Sequence, residues 1–415
     1  MEKIKPQLDM IKSGTLEILP VADLEKKLKS GRPLVVKLGV DPTAPDLHLG
    51  HAVPLRKLRV FQDLGHQVVL IIGDFTAKIG DPSGRSKTRP KLSDEEIKEN
   101  AATFMDQAFK VLDKDKTRLV FNSEWLSQID MKNILELLGR FTVTALLQRD
   151  DFEKRYKNNE MIGLHEFLYP VMQAYDSLEL DADIEIGGSD QKFNLLAGRE
   201  LQQKMGKEPQ VCITMPLLEG IDGIQKMSKS YGNHIGLTFP PVSMFYAIMK
   251  IPDALLIKYF QLATMVDSDE ILRIEKGLSD ETIHPRDAHL RLGREIVTIY
   301  HDAEKAKEAE EYYIEGAKSG YSDEALRTTV EDAIIDINDD DLRDGKMYLP
   351  KLVIKEGAAS STSEAKRLIS QGGVRLDGVK VTEPNTDLEP DGQEYIEVGK
   401  RPRKKINNNT ISPSE

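Results

Sequence analysis

The sequence predicts an α/β protein: a doubly wound parallel sheet, then an α-helical region, then a small α+β unit. Three observations carry this. Residues 34–41 and 68–72 read as strands on either side of an amphipathic helix over 52–64, the rhythm of a right-handed parallel crossover. The run Val68-Val69-Leu70-Ile71-Ile72 is apolar throughout, as in a strand buried on both faces. Residues 347–405 carry a helix followed by a hairpin signal, set apart from the rest by an acidic run.

Composition sets the bounds. The chain has 415 residues, 40% hydrophobic and 30% charged, enough for two to four domains of an ordinary globular protein. Its single cysteine, Cys212, excludes an intramolecular disulfide and a cysteine-based metal site, and fits a reducing compartment. Residues 1–14 are charged throughout, unlike a secretory leader, and no apolar run has the length of a membrane span. The expected location is cytoplasmic. A net charge of −12 argues against nonspecific coating of nucleic acid. The charge is uneven, however. Residues 347–405 hold 11 Lys+Arg against 9 Asp+Glu, whereas 301–345 hold 15 acidic and 5 basic residues. A basic end on an acidic body points to one RNA-facing surface.

In order, 15–31 reads as a short helix closed by Gly31. The strand over 34–41, the helix over 52–64 and the strand over 68–72 follow. A polar loop, Gly73 to Pro90, carries Asp81, Arg85, Lys87 and Arg89 at the carboxyl end of a buried strand, where ligands of open α/β sheets bind. Ser93 and Glu96 form a capping-box pattern for a helix to Leu112. A strand through Leu119-Val120-Phe121 precedes Asn122 and the only tryptophan, Trp125, and helices follow over 131–138 and 142–149. Over 164–180, Tyr169, Gln173 and Asp176 lie on one helical stripe among apolar neighbours, the polar floor of an otherwise apolar pocket. A strand over 182–186 leads into Gly187-Gly188-Ser189-Asp190-Gln191, where glycines permit close ligand approach and Asp190 offers an acceptor to ribose hydroxyls. A last strand, 210–215, precedes a Gly-rich loop.

Four regions are expected: an α/β domain with an N-terminal helical extension (1–238), a helical domain (239–338) after Pro240-Pro241, a small unit (347–405) and a polar tail (406–415). The acidic run 336–344 reads as an exposed linker. In the small unit, Ser361 and Glu364 start a helix ending at Gly372-Gly373, and Asp377-Gly378 sits between two short strands. Lys366, Arg367, Arg375 and Lys380 make it a phosphate-facing patch. It resembles the small RNA-binding domain first recognised in a ribosomal protein.

Two motifs carry the chemistry. The first follows the first strand: V-D-P-T-A-P-D-L-H-L-G-H, Val40 to His51. It places a helix start after a polar turn, the geometry in which a helix N-terminus faces phosphate. His48 and His51 share a face, and Gly50 lets a flat ligand approach the backbone. An isolated H-x-x-H is weak evidence. The second motif is K-M-S-K-S, Lys226-Met227-Ser228-Lys229-Ser230, about 180 residues later. Its lysines suit a polyphosphate. The pair resembles the signature of class I aminoacyl-tRNA synthetases, with Leu49 at the second place of the usual H-I-G-H. The resemblance implies a Rossmann-like ATP-binding domain.

G-V-D-P-T after the first strand, G-D-P-S-G in the second loop, Y-x-x-x-Q-x-x-D on the helix and G-G-S-D-Q narrow the resemblance to bacterial-type tyrosyl-tRNA synthetases, over nearly the whole chain. It implies a homodimer that makes tyrosyl-adenylate from L-tyrosine and ATP and passes the tyrosyl group to the tRNA for tyrosine. Neither DNA nor a membrane is an expected partner. Magnesium accompanies the nucleotide, with no protein metal site. Carried over residue by residue, the pattern puts Asp81, Tyr169 and Gln173 around the substrate ammonium and Asp176 on the phenol. Gly188 and Asp190 meet the ribose, and Gln191 lies near the reacting carboxylate. Gly39, Asp41, Thr43, His48, Gly50 and His51 hold ATP with the Lys226–Ser230 segment. Lys226, Lys229, Arg85 and Arg89 stabilise the departing pyrophosphate.

A carboxylate attacking an α-phosphate needs no general base, so positioning and charge neutralisation suffice. Lys37 departs from the family, which often has tyrosine there; its ammonium is expected to point at Asp176 or the phenol. Lys78 is a second departure, in a segment usually made of small residues. A tryptophanyl-type enzyme is the nearest rival, and the polar stripe speaks against it. A catalytically dead RNA-binding relative would have damaged motifs, and both motifs are intact. A nucleotidyltransferase of the same superfamily would leave the helical and C-terminal regions unexplained.

Overall fold

The computed structural model describes residues 4–83, 92–319, 334–338, 341–343, 345–376, 379–389, 395–399 and 404–408. Two compact units divide the chain: 1–238 with 250–300, and 239–249 with 301–415. The helices between 250 and 300 thus belong with the first unit, and only 239–249 and the segment from 301 onward with the second.

The first unit is built on a six-stranded sheet: β1 (Glu17–Leu19), β2 (Val35–Val40), β3 (Gln67–Ile72), β4 (Thr117–Phe121), β5 (Ile184–Gly188) and β6 (Val211–Met215). The strand order is β1-β6-β5-β2-β3-β4. All neighbours are parallel except β1, which runs antiparallel to β6. From β2 the chain winds outward through β3 and β4, then returns to the other side for β5 and β6. The direction of winding therefore reverses between β2 and β5, and that reversal opens a crevice at their carboxyl ends. Val68–Ile72 are all at most 1% exposed, the double-sided burial their composition predicts. The helix Leu49–Asp63 packs Leu49, Leu55, Leu58 and Phe61 into the core.

Local signals place most elements. Ser93 caps the helix Asp94–Ala108 in a reciprocal box: Glu96 N–H donates to Ser93 Oγ (3.2 Å) and Ser93 N–H to Glu96 Oε2 (2.8 Å). The segment 15–31 departs from expectation. Residues 17–19 form β1, because Ile18 is buried and the backbone completes the edge of β6; the helix covers only Val21–Lys29. A further helix, Ile4–Lys12, precedes it. Lys57 Nζ donates to the carbonyls of Ile11 (2.8 Å) and Ser13 (2.6 Å) at that helix's carboxyl end, satisfying acceptors the helix leaves open.

In the second unit, helices Pro241–Ile248 and Ala303–Ser319 pack together through Phe245, Tyr246 and Tyr313. Further on, Ser361 caps the helix Thr362–Ser370 (Glu364 N–H to Ser361 Oγ, 3.3 Å), and Gly372 takes the left-handed φ of +70° that ends it. Val374–Leu376 and Val379–Val381 pair antiparallel as expected. The Asp377-Gly378 turn lies outside the described residues. Two expectations are corrected. Ile334–Ile337, partly inside the supposed acidic linker, and Lys404–Asn408, partly inside the supposed tail, pair with each other as parallel strands of a five-stranded sheet. The reason is apolar: Ile335, Ile337 and Ile406 are buried in the same cluster as Leu352, Ile369 and Ile396.

Candidate active site

A cleft of about 260 Å³ opens at the carboxyl ends of β2 and β5. Gly39, Asp41, Thr43, His51, Asp81, Tyr169, Gln173, Asp176 and Gln191, all singled out by the sequence, line it. Asp46, Thr76 and Asn122 line it too. Arg85 and Arg89 lie outside the described residues.

The floor is a hydrogen-bonded network. Asp176 is buried; its Oδ1 accepts the indole N–H of Trp125 at 2.8 Å and its Oδ2 an N–H of Asn122 at 3.3 Å. Asn122 also donates to Thr76 Oγ1 (3.0 Å), which donates to Asp41 Oδ1 (2.7 Å), whose Oδ2 accepts from the Tyr169 hydroxyl (2.9 Å). Burial pushes the Asp176 carboxyl up to about 6, and the positive charge of Lys37 and its two donors act against that rise. Asp176 is therefore an anion at neutral pH. Its two donors stand in the β4–helix turn, Asn122–Trp125, whose only sequence signal was position at a strand's carboxyl end and the sole tryptophan.

On the opposite wall, Asp81 is braced from three sides. Its Oδ1 accepts the Ser83 N–H at 2.9 Å and its Oδ2 an N–H of Gln191 at 2.7 Å. The guanidinium of the buried Arg149 lies 3.7 Å away and is itself anchored on Ser83, Asn194 and Asp151. Arg149 was not anticipated: it sits in a charged helical segment with no motif around it.

Lys37 is corrected. Its ammonium does not reach Asp176 as a bonding partner. It pairs with Glu185 Oε1 at 2.9 Å, both side chains 1% exposed, and donates to the Gln173 carbonyl at 3.3 Å. The register decides this, because Lys37 and Glu185 are directly opposite across β2 and β5. Lys78 points out of the cleft to Asp94, 2.7 Å away.

The two distant motifs meet. Leu49 N–H donates to the Ile235 carbonyl and Leu237 N–H to the Leu47 carbonyl, both at 2.9 Å. This pins the end of the Gly-rich loop to the histidine segment. A Cβ on Gly50 would lie 3.1 Å from the His48 ring and 3.5 Å from Met227, so only glycine leaves this junction open. The loop closes on the buried Asn233, which accepts the Ser228 N–H at 2.8 Å and donates to Asp222 at 2.9 Å. Lys229 Nζ reaches Asp46 at 2.7 Å, and Lys226 Nζ reaches Asp190 at 3.5 Å. Ser230 belongs to the short turn Lys229–Tyr231. A Cβ on Gly188 would meet Asp190 Oδ1 at 2.7 Å, the close packing that the G-G-S-D-Q turn requires.

His48 and His51 stack with ring centroids 3.7 Å apart, and the His48 N–H donates to His51 Nδ1 at 3.3 Å. Burial first, then neighbouring histidine and lysine charge, lowers His48 to about 2 and His51 to about 4. Both are neutral at physiological pH, available as hydrogen-bond donors. Such an arrangement can clamp a polyanion between neutral imidazoles and partly exposed ammonium groups while a buried carboxylate reads a polar tip below.

Comparison with known proteins agrees with this geometry. A family model for class I tRNA synthetases (W and Y) matches residues 29–315, and one for the S4 domain matches residues 349–393. The chain is 48% identical to a tyrosine–tRNA ligase of Moorella thermoacetica, over 96% of this chain and 95% of that one. It is 50% identical to the tyrosine–tRNA ligase of Aquifex aeolicus, over 95% of this chain and 97% of that one. Among solved structures, tyrosyl-tRNA synthetase of Archaeoglobus fulgidus complexed with L-tyrosine shares the fold with a TM-score of 0.62 at 23% identity, over 74% of this chain and 99% of that one.

Proposed function

Because the chain belongs to the tyrosine–tRNA ligases among the class I aminoacyl-tRNA synthetases, which activate tyrosine with ATP and then transfer it to tRNA, we propose how its cleft divides that work. The tyrosine ring enters between the Gln173 helix and β2, its phenol donating to the Asp176 anion. Its ammonium meets Asp81, Tyr169 and Gln173. ATP lies over Gly39, Asp41 and Thr43, its phosphates toward His48, Gly50 and His51 and its ribose at Gly188 and Asp190. Magnesium arrives with the nucleotide as part of that substrate.

The observation that carries this reading is the junction of the two motifs at the mouth of a cleft floored by a buried carboxylate. The tyrosine carboxylate oxygen attacks the α-phosphorus, the bond to pyrophosphate breaks, and charge builds on the leaving oxygens. Lys226 and Lys229 exchange Asp190 and Asp46 for those oxygens, with Arg85 and Arg89 assisting, while Gln191 steadies the reacting carboxylate. Stabilisation that grows only as the leaving group departs raises the rate rather than the affinity.

The S4 segment, with Lys366, Arg367, Arg375 and Lys380, and the helices around Pro241–Ile248 and Ala303–Ser319 supply the tRNA-facing surface in this reading. We also propose a homodimer in the cytoplasm. Met131, Leu135, Val143, Tyr156, Met161 and Leu164 are large, apolar and exposed within one stretch, as a subunit interface requires. Among the described residues no helix is long and apolar enough to cross a membrane.

Exchange of labelled pyrophosphate into ATP, with each of the twenty amino acids offered separately, tests the division of roles. Tyrosine alone supports exchange. Alanine at Asp81 raises the KM for tyrosine, and alanine at Lys226 or Lys229 lowers kcat. The reverse pattern overturns the assignment. Sedimentation at micromolar concentration gives the mass of a dimer if the interface is as proposed, and of a monomer if it is not.

A further inference from the structure

Glu185 lies on β5 behind the cleft floor, away from any ligand position assigned above. Its carboxylate gathers four donors. Lys37 Nζ (2.9 Å) and Gln173 Nε2 (3.0 Å) reach Oε1. Ser177 Oγ (3.1 Å) and Gln210 Nε2 (2.5 Å) reach Oε2. An ionised carboxylate only accepts hydrogen bonds. The end of the Gln173 amide turned toward Glu185 must therefore be its NH2 group, and the other end must be the carbonyl oxygen. That oxygen, Gln173 Oε1, is buried and has no hydrogen-bond partner among the described residues, on a side chain that lines the cleft. A buried acceptor without a donor is costly and uncommon.

We propose that Glu185, neutralised by Lys37, is a positioning residue for the amino-acid substrate: it locks the Gln173 amide with its oxygen free, so that the site accepts from an ammonium and cannot present an NH2 group against it. This rests on the reading of Gln173 as part of the ammonium site. Lys37 then has a different task from the phenol contact expected of it. It compensates the buried Glu185 charge and, with its second bond to the Gln173 carbonyl, ties the Tyr169–Asp176 helix to β2. Without Lys37 the buried carboxylate would lose its balancing charge and one of its four donors, and the Gln173 helix its tie to β2.

The test is the double variant K37M/E185Q, which removes both charges and keeps both shapes. A glutamine at 185 can donate to Gln173 Oε1, so the amide is free to turn. In tyrosine-dependent pyrophosphate exchange the expected result is at least a tenfold higher KM for tyrosine, with the KM for ATP within twofold. The competitive Ki of 3-(4-hydroxyphenyl)propanoate, which lacks the ammonium, stays within twofold of wild type. A merely structural role would weaken both ring ligands together, and that result overturns the proposal. So does an unchanged KM for tyrosine. The variant Q173A separates the two layers: if it leaves tyrosine binding intact, the ammonium reading itself fails. If Q173A weakens tyrosine and K37M/E185Q does not, only the role of Glu185 fails. Should the double variant not fold, K37M/E185L, which leaves the Gln173 amide no acceptor at position 185, serves the same comparison.

Discussion

Trp125 donates its indole N–H to Asp176 Oδ1 at 2.8 Å, joining the turn after β4 to the floor of the cleft. With Asn122 on the other oxygen, the carboxylate is aimed before any substrate arrives, and the phenol of tyrosine supplies a third donor.

That carboxylate has been pushed up to about 6 by burial, so tyrosine binding should depend on pH in an unusual range. The anion is the acceptor and exists above about 6. Below it the group protonates, and the Kd for tyrosine rises toward tenfold per pH unit. Titration calorimetry between pH 7.5 and 5 measures this. In D176N the slope disappears. In W125F, with one donor to the anion lost, the inflection moves to higher pH.

The histidine pair gives a separate pH signature, in stability. Both imidazoles are held neutral, His48 at about 2 and His51 at about 4, against 6.5 in an unfolded chain. Their folded values are depressed, so the unfolded state binds protons first as pH falls. The protein loses stability from about pH 6.5 downward, to about 4 for the His51 contribution and to about 2 for that of His48. Melting curves for the wild type and for H48N/H51N over this range are expected to converge on acidification. Parallel curves contradict the assignment.

Lys229 rests on Asp46 at 2.7 Å and is partly exposed, an ion pair of small ground-state value. Its replacement by alanine should leave the Tm and the tyrosine Kd nearly unchanged. The rate of adenylate formation should fall by about 10²–10³, the usual cost of removing one transition-state donor. Stopped-flow fluorescence with and without pyrophosphate separates the two effects.

The buried Lys37–Glu185 pair predicts asymmetry between variants. K37M alone leaves the buried Glu185 carboxylate without its countercharge and should cost about 3–5 kcal/mol, the range for breaking a buried pair. K37M/E185Q should recover most of that loss, read from the denaturant midpoint.

Much of this was legible in the chain, and for specific reasons. The strand run Val68–Ile72, the Ser93–Glu96 box and the H-L-G-H and K-M-S-K-S motifs are local signals, and the structure keeps them. The floor residues were visible as a stripe because helical spacing alone brings Tyr169, Gln173 and Asp176 to one side. What was not legible depended on lateral register. Lys37 meets Glu185 only because β5 lies beside β2, a neighbour about 150 residues away in sequence. Trp125, Asn122 and Arg149 join the site through strand order and packing, for which no single residue carries a mark. Strands 17–19 and 404–408 were missed because each is short and held by a partner strand rather than by its own composition.

Asp176 is the group that reads the phenol, and discrimination between tyrosine and phenylalanine is the direct test of that role. Tyrosyl enzymes are the standard example of such selectivity, about 10⁵, because a polar site left unpaired rejects the ligand lacking the hydroxyl. The measurement is the ratio of kcat/KM for the two amino acids in pyrophosphate exchange, for wild type and D176A. The ratio is predicted to fall by at least about 100-fold in the variant, mainly through weaker use of tyrosine. A folded D176A protein that keeps the wild-type ratio within threefold would contradict it.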